Sequence, residues 1–262
     1  MDLLTWALLG LLQGVLEWLP VSSTAVVTVI AALLGLNLAE AYNASLLLHV
    51  GTLIALMVAF RNDYALLASQ AIRTFKGHRL GREARLLLAI TVGTALTGLP
   101  AYLLTLKVLE RASVADAAAY AGAFLAVTAF MAFIARGGKK TSLDSRDAVI
   151  LGLAQGLAAI PGLSRSGLTI SVLMLLGVTP YEAFKWSFLS AGPAIAGVVA
   201  LELLTGDFML APGPLVAVLA AAVVGYVSIG AMLSVARRAP PSLVALLVSI
   251  AMFVTALLAY VG

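Results

Sequence analysis

Pro20-Val21-Ser22-Ser23-Thr24 interrupts an apolar stretch at about residues 3–35, and Pro161-Gly162-Leu163-Ser164-Arg165-Ser166-Gly167 interrupts a second at about residues 148–177. Each stretch is too long for one bilayer-crossing helix, which needs roughly 20 mostly apolar residues. Irregular backbone at membrane depth is tolerated only where it is buried in protein or lines a wet cavity. Each stretch therefore reads as two half-helices around a polar break, and the breaks, which carry hydroxyls and an arginine, imply a cavity.

The surrounding composition agrees with a lipid solvent. Of 262 residues, 62% are hydrophobic and 11% charged, against about 25% charged in an ordinary soluble domain. There is no cysteine, which excludes disulfides, thiolate chemistry and His/Cys zinc sites, and only His49 and His78 could supply imidazole. The net charge of +4 belongs mostly to loops, so no nucleic-acid partner is expected. The start, Met1-Asp2-Leu3-Leu4, lacks a basic region, so no cleaved signal peptide is expected.

Six uninterrupted stretches qualify as spans: about 43–60, 86–106, 116–135, 183–204, 214–234 and 242–261. Arg61, Arg73, Lys76, Arg79, Arg82 and Arg85 fill the loop after the first of these, and Arg136, Lys139, Lys140 and Arg146 the loop before the second broken stretch. Such loops face the cytoplasm and read as a solvated, headgroup-facing surface. The loop at about 205–213 carries Asp207 and no basic residue, so it faces outward. Stretch 148–177 must then enter and leave on the inner side, and 3–35 does the same on the outer side. A single long tilted first helix is the alternative for 3–35. The expected fold is an all-α polytopic membrane protein, one domain over 1–262, with six transmembrane helices and two re-entrant helical hairpins.

An internal repeat organises these elements. At an offset of 142 residues the broken stretches align without a gap: Gln13-Gly14 on Gln155-Gly156, Ser22 on Ser164, Thr24 on Ser166, Glu40-Ala41 on Glu182-Ala183, and Ser45 on Ser187. Repeat 1 covers about 3–106 and repeat 2 about 148–234. The three intervening spans, an odd number, give the copies opposite orientations. This is an inverted-topology repeat, with its site near the midplane between broken helices.

The breaks carry the candidate chemistry. Gln13 and Glu17 are four apart and share a helix face. Glu17 is an ionisable residue in an apolar helix, a functional candidate by default. Pro20 ends the first half-helix, and the next begins near Ser23 with an N-terminus that attracts anions. Arg165 offers a permanent cation whose planar fork suits phosphate. Ser22, Thr24, Ser164 and Ser166 add hydroxyls, and Gly162 permits close backbone approach. The set suits a phosphate or diphosphate on a membrane-embedded substrate. Plainer roles stand beside these. Ser22 and Ser164 are candidate N-caps, Glu17 and Arg165 a candidate structural ion pair, and Gln13 and Gln155 inter-helix hydrogen-bond partners. Glu40 and Glu182 are read as caps, and His49 as a satisfied interior histidine.

Gln13 to Thr24 resembles the first signature of the undecaprenyl-diphosphatase (bacitracin-resistance) family, Ile160-Pro161-Gly162-Leu163-Ser164-Arg165-Ser166-Gly167 resembles its second, and Leu48-His49-Val50-Gly51-Thr52 a stretch between them. The resemblance implies a multi-pass cell-membrane hydrolase. It would convert a C55-type polyprenyl diphosphate lipid to the monophosphate carrier of cell-wall glycan synthesis, with a divalent cation (Mg or Ca). It also implies functional roles for Gln13, Glu17, Ser22, Ser23, Ser164, Arg165 and Ser166. The family's first signature usually continues into Gly-His, whereas Ala25 and Val26 follow Thr24 here. A mechanism that needs that histidine cannot operate unchanged, and His49 cannot be assumed to replace it.

The expected reaction is phosphoryl transfer at a site opening outward. Arg165 and the helix N-termini hold the diphosphate, with Ser23 as nucleophile and Glu17 as its base. A water activated by Glu17, with Glu17 as a candidate metal ligand, is the alternative within this class. A polyprenyl-phosphate transporter or flippase that binds without cleaving is the rival reading. The bilayer, the lipid substrate and a second copy of the chain, giving a homodimer, are the expected partners.

Overall fold

The computed structural model describes residues 1–75, 77–205 and 211–238, with four further helical positions at Leu243, Leu247, Ile250 and Val254. Among these residues the chain forms ten helices: α1 Leu3–Leu16, α2 Ser23–Leu33, α3 Leu38–Ala59, α4 Arg61–Phe75, α5 Arg82–Leu109, α6 Val114–Ile134, α7 Ser145–Leu157, α8 Arg165–Leu175, α9 Pro180–Thr205 and α10 Pro212–Arg238. The fold is that of an all-α polytopic membrane protein. The helices α3, α5, α6, α9 and α10 contain five segments long and apolar enough to cross a bilayer, and they coincide with five of the six expected spans. Apart from the four positions above, the expected span 242–261 lies outside the described residues, as does Asp207.

Both broken stretches are pairs of short helices. With 14 residues in α1 and 11 in α2, they reach about 21 and 17 Å at 1.5 Å per residue. The hydrocarbon core is about 30 Å thick. The pair α7 and α8 has 13 and 11 residues. The first half-helix ends earlier than its proline requires: α1 stops at Leu16, Glu17 takes the C-cap, and a turn carries the chain to Pro20.

Small residues let these helices approach their partners, as they do where lipid supplies no hydrophobic drive between helices. A Cβ on Gly10 of α1 would sit 2.1 Å from the Ala217 carbonyl oxygen of α10, and one on Gly14 2.9 Å from that of Ala221. In α7, a Cβ on Gly152 would lie 2.4 Å from the Ile90 oxygen of α5, and one on Gly156 2.4 Å from that of Thr94. Thus α1 packs along α10, and α7 along α5. Large apolar side chains such as Leu96 and Leu103 on α5, Phe130 and Phe133 on α6, and Leu219 and Val223 on α10 are exposed, as a lipid solvent allows.

The basic loop after α3 is not structureless. Its first half is the helix α4, which the density of charge concealed at the sequence level. Asp63 in its first turn and Arg73 in its last suit the helix dipole, and Leu67 is buried. Two contacts fasten α4 to α9. Asp63 Oδ1 pairs with Lys185 Nζ at 3.0 Å, and the Tyr64 hydroxyl donates to the Leu189 carbonyl at 2.8 Å. That carbonyl is four residues before Pro193, inside α9, and proline has no N–H to offer it.

Glu40 behaves as expected, forming a capping box with Asn37 at the start of α3. Glu182 lies in the first turn of α9, where its charge suits the helix dipole, and its N–H donates to Thr179 Oγ1 at 3.5 Å.

Candidate active site

The two breaks meet. Arg165, the first residue of α8, places Nη2 2.5 Å from Glu17 Oε1 at the C-cap of α1. The second carboxylate oxygen accepts from Ser23 Oγ at 2.6 Å and from Gln13 Nε2 at 3.0 Å. Two further links lock the loops together: Gly162 N–H donates to Ser22 Oγ at 3.3 Å, and Ser166 Oγ donates to the Leu19 carbonyl at 2.6 Å. Glu17 is only 6% exposed, so both charges depend on these partners rather than on bulk water. The Arg165 guanidinium also lies 5.4 Å from the Trp18 ring centroid, and Trp18 is pinned edge-on by Phe188.

The helix starts differ. Ser164 caps α8, accepting from Gly167 N–H at 3.2 Å, and is fully buried. Ser22 occupies the corresponding place before α2 but makes no side-chain cap; its hydroxyl is spent on Gly162 instead. Ser23 and Arg165 are therefore matched positions, each the first residue of its half-helix. One brings a hydroxyl to Glu17 and the other a cation. Gly162 has φ of +98°, and a Cβ there would meet the Ala121 backbone of α6 at 2.5 Å. Its lack of a side chain thus serves the turn and the contact with α6.

A cavity of about 470 Å³ opens beside these groups, lined by Glu17, Ser22, Ser23, Thr24, Arg165 and Ser166 among others. Gln13 and Ser164 are not among its lining residues; they stand behind it. Gln155 is an inter-helix partner, as its type predicts, donating to Thr94 Oγ1 at 3.0 Å and accepting from Ser190 Oγ at 2.9 Å. Gln13 instead bonds to Glu17 within its own segment.

His49 of α3 is a satisfied interior histidine, as expected, with partners on both ring nitrogens, and it also stands at the site. It lines the cavity, and its Nε2 is 3.3 Å from Glu17 Oε2. Its Nδ1 is 2.8 Å from the Ser45 carbonyl, which can only accept, so Nδ1 carries the hydrogen. A favourable contact between Nε2 and the carboxylate then needs one further proton shared between them. The signal for its place at the site is its type: an ionisable residue inside a span is a functional candidate by default.

The donor set does not fit a resident divalent ion. Glu17 Oε1 is held by Arg165, and Oε2 by Ser23, Gln13 and His49. Among the described residues no group of three or more His, Asp or Glu stands close enough to hold one.

Residues 6–257 match the sequence profile described as bacitracin resistance protein BacA. Curated relatives named undecaprenyl-diphosphatase include one from Saccharolobus islandicus (strain M.14.25 / Kamchatka #1), 35% identical over 247 residues that cover 90% of this chain and 88% of that protein. One from Saccharolobus solfataricus is 33% identical over 270 residues, with 98% and 96% covered, and one from Haloarcula marismortui is 35% identical, with 89% of each covered. Matched over nearly its whole length, with both signature breaks converging on Glu17 and Arg165, the chain belongs to the bacitracin resistance protein BacA family.

Proposed function

We propose that this protein is a membrane phosphatase that removes the terminal phosphate of a polyprenyl diphosphate of the undecaprenyl type, leaving the monophosphate lipid. One observation carries the reading. A serine, a carboxylate and an arginine from two separate breaks converge at the polar end of a cavity whose walls are otherwise mostly apolar.

In this reading Arg165 and the N-termini of α2 and α8 hold the diphosphate and stabilise the transferring group. Ser23 Oγ attacks the terminal phosphorus, and its proton passes to Glu17. The bond to the bridging oxygen breaks, and the prenyl monophosphate departs. Water then releases phosphate from the serine. Arg165 must turn from Glu17 towards the incoming anion, which frees Oε1 and makes the carboxylate a better base at the moment it is needed. A divalent cation, Mg or Ca, would come with the diphosphate as part of the substrate and would offset charge on the transferring group; no residue of this site is assigned to hold it.

The same proposal places the basic loops in the cytoplasm, the cavity towards the outer face, and the α1/α2 and α7/α8 pairs as re-entrant hairpins of inverted halves. The matched packing of α1 on α10 and of α7 on α5 supports that inversion. The expected homodimer can be read from the mass of the native detergent complex.

The deciding experiment is phosphate release from undecaprenyl diphosphate by purified protein, with and without a divalent cation. Ser23→Ala should abolish release. Full rate in Ser23→Ala would replace the serine with an activated water. No release by the unmodified protein, with lipid binding intact, would favour a transporter.

A further inference from the structure

We infer that the groove between α5 and α9 is the seat of the isoprene units that follow the first, and that Gly197 is the residue whose missing side chain admits them. The inference rests on the proposed polyprenyl-diphosphate chemistry of the adjoining site.

The cavity is not confined to its polar end. It continues without interruption from Arg165 and Ser23 along one face of α5, through Ala95 and Leu99, and one face of α9, through Ala194, Gly197 and Leu201. The spacings 95 and 99, and 194, 197 and 201, are those of single helix faces. The two helices meet only sparsely here, whereas α5 lies tightly along α7. At Gly197 an added Cβ would have no atom within 4 Å. The polar end is buried, but Ala95, Leu99 and Gly197 are exposed, so the groove runs from the ion pair to the lipid-facing surface.

Its occupant follows from that continuity. A group held at Arg165 by its phosphates has this apolar groove directly beside it, with the Thr94–Gln155–Ser190 hydrogen bonds joining α5, α7 and α9 at its inner end. A cavity of about 470 Å³ has the size of a drug-scale pocket. It takes a diphosphate and a short length of chain, and the remainder of a long prenyl tail leaves sideways into the bilayer. The tail gains little hydrophobic energy by moving from lipid into the groove, since both are apolar. The groove therefore acts by shape, and blocking it should penalise only substrates with a tail to place.

The test is Gly197→Leu, compared with Gly230→Leu on α10, where an added Cβ also meets open space and which does not line the cavity. Phosphate release is measured on undecaprenyl diphosphate and on five-carbon isopentenyl diphosphate. Gly197→Leu should lower kcat/KM for the long substrate at least tenfold, leave the five-carbon substrate within twofold, and differ from Gly230→Leu in this respect. Unchanged turnover of the long substrate, or equal loss on both, would overturn the inference. If the unmodified protein releases no phosphate at all, the phosphatase reading fails, and the groove is then read by native mass spectrometry with undecaprenyl monophosphate. Weaker lipid retention in Gly197→Leu than in Gly230→Leu supports the groove, and equal retention refutes it.

Discussion

Tyr64 and Pro193 form a pair whose energetic coupling can be worked out in advance. Pro193 withdraws the N–H that would have bonded the Leu189 carbonyl. The Tyr64 hydroxyl, arriving from α4, supplies the replacement at 2.8 Å. Gly192 makes room, because a Cβ there would stand 2.1 Å from that hydroxyl. Tyr64→Phe keeps the ring and leaves the carbonyl without its donor, which costs about 1–2 kcal/mol in a partly buried setting. In Pro193→Ala the helix regains its own N–H, so adding Tyr64→Phe should then cost under about 0.5 kcal/mol. The coupling energy of the cycle is the difference, about 0.5–2 kcal/mol. Reversible unfolding of the four proteins in mixed micelles measures it. Equal cost of Tyr64→Phe in both backgrounds would refute the reasoning. Alkali gives a second reading. Burial pushes the Tyr64 phenol up from its usual value near 10. The unfolded tyrosine ionises first, so its contribution is complete below about pH 10 and is lost as pH rises further. Tyr64→Phe should lack that component of the alkaline decline.

Glu17→Gln and Arg165→Ala should each lower phosphate release by roughly two to three orders of magnitude, the scale of losing a base or a charge-stabilising donor; near-normal rates in either would remove it from the chemistry. His49→Leu should lower kcat at least tenfold, and His49→Gln, whose amide nitrogen can still donate towards Glu17, should recover most of it; equal loss in both would mean that donation is not what His49 contributes. Gly10→Ala and Gly152→Ala, where the new Cβ would overlap backbone of α10 and α5, should each destabilise by about 1–3 kcal/mol, while Gly230→Ala should not, as midpoints of thermal unfolding would show. Lys140 holds the Asp144 carboxyl below its usual range by a 2.9 Å hydrogen bond. That contribution is present above about pH 4 and is lost as pH falls through the lowered value, so Lys140→Met should flatten the acid limb of the stability profile.

How much of this could be read from the sequence differs by element. Five spans and both broken pairs were legible because apolar length alone specifies them, and Glu17 and Arg165 because charge is scarce in such a chain. The helix α4 was not, since charged residues on a surface helix look like loop when weighed by composition. His49 was legible as an interior histidine, but not its contact with Glu17, because that partner lies in another segment, 32 residues away. The roles of Ser22 and Gly162 were hidden for the same reason: their bond joins positions 140 residues apart.

The glycine faces of α1 and α7 bear on how the protein is made. Gly10 and Gly14 fit against α10, which is synthesised about 200 residues later, a delay of roughly 10–40 s at the ribosome. Until then α1 sits in the bilayer without its main partner, and α5 likewise waits for α7. Neither half contains the main partner of its own first half-helix, so the support on both sides of the carboxylate–arginine pair is complete only once α10 has been made. A chain terminated before α10 would carry both breaks yet lack the support that aligns them, and would present itself to membrane quality control as an unassembled fragment.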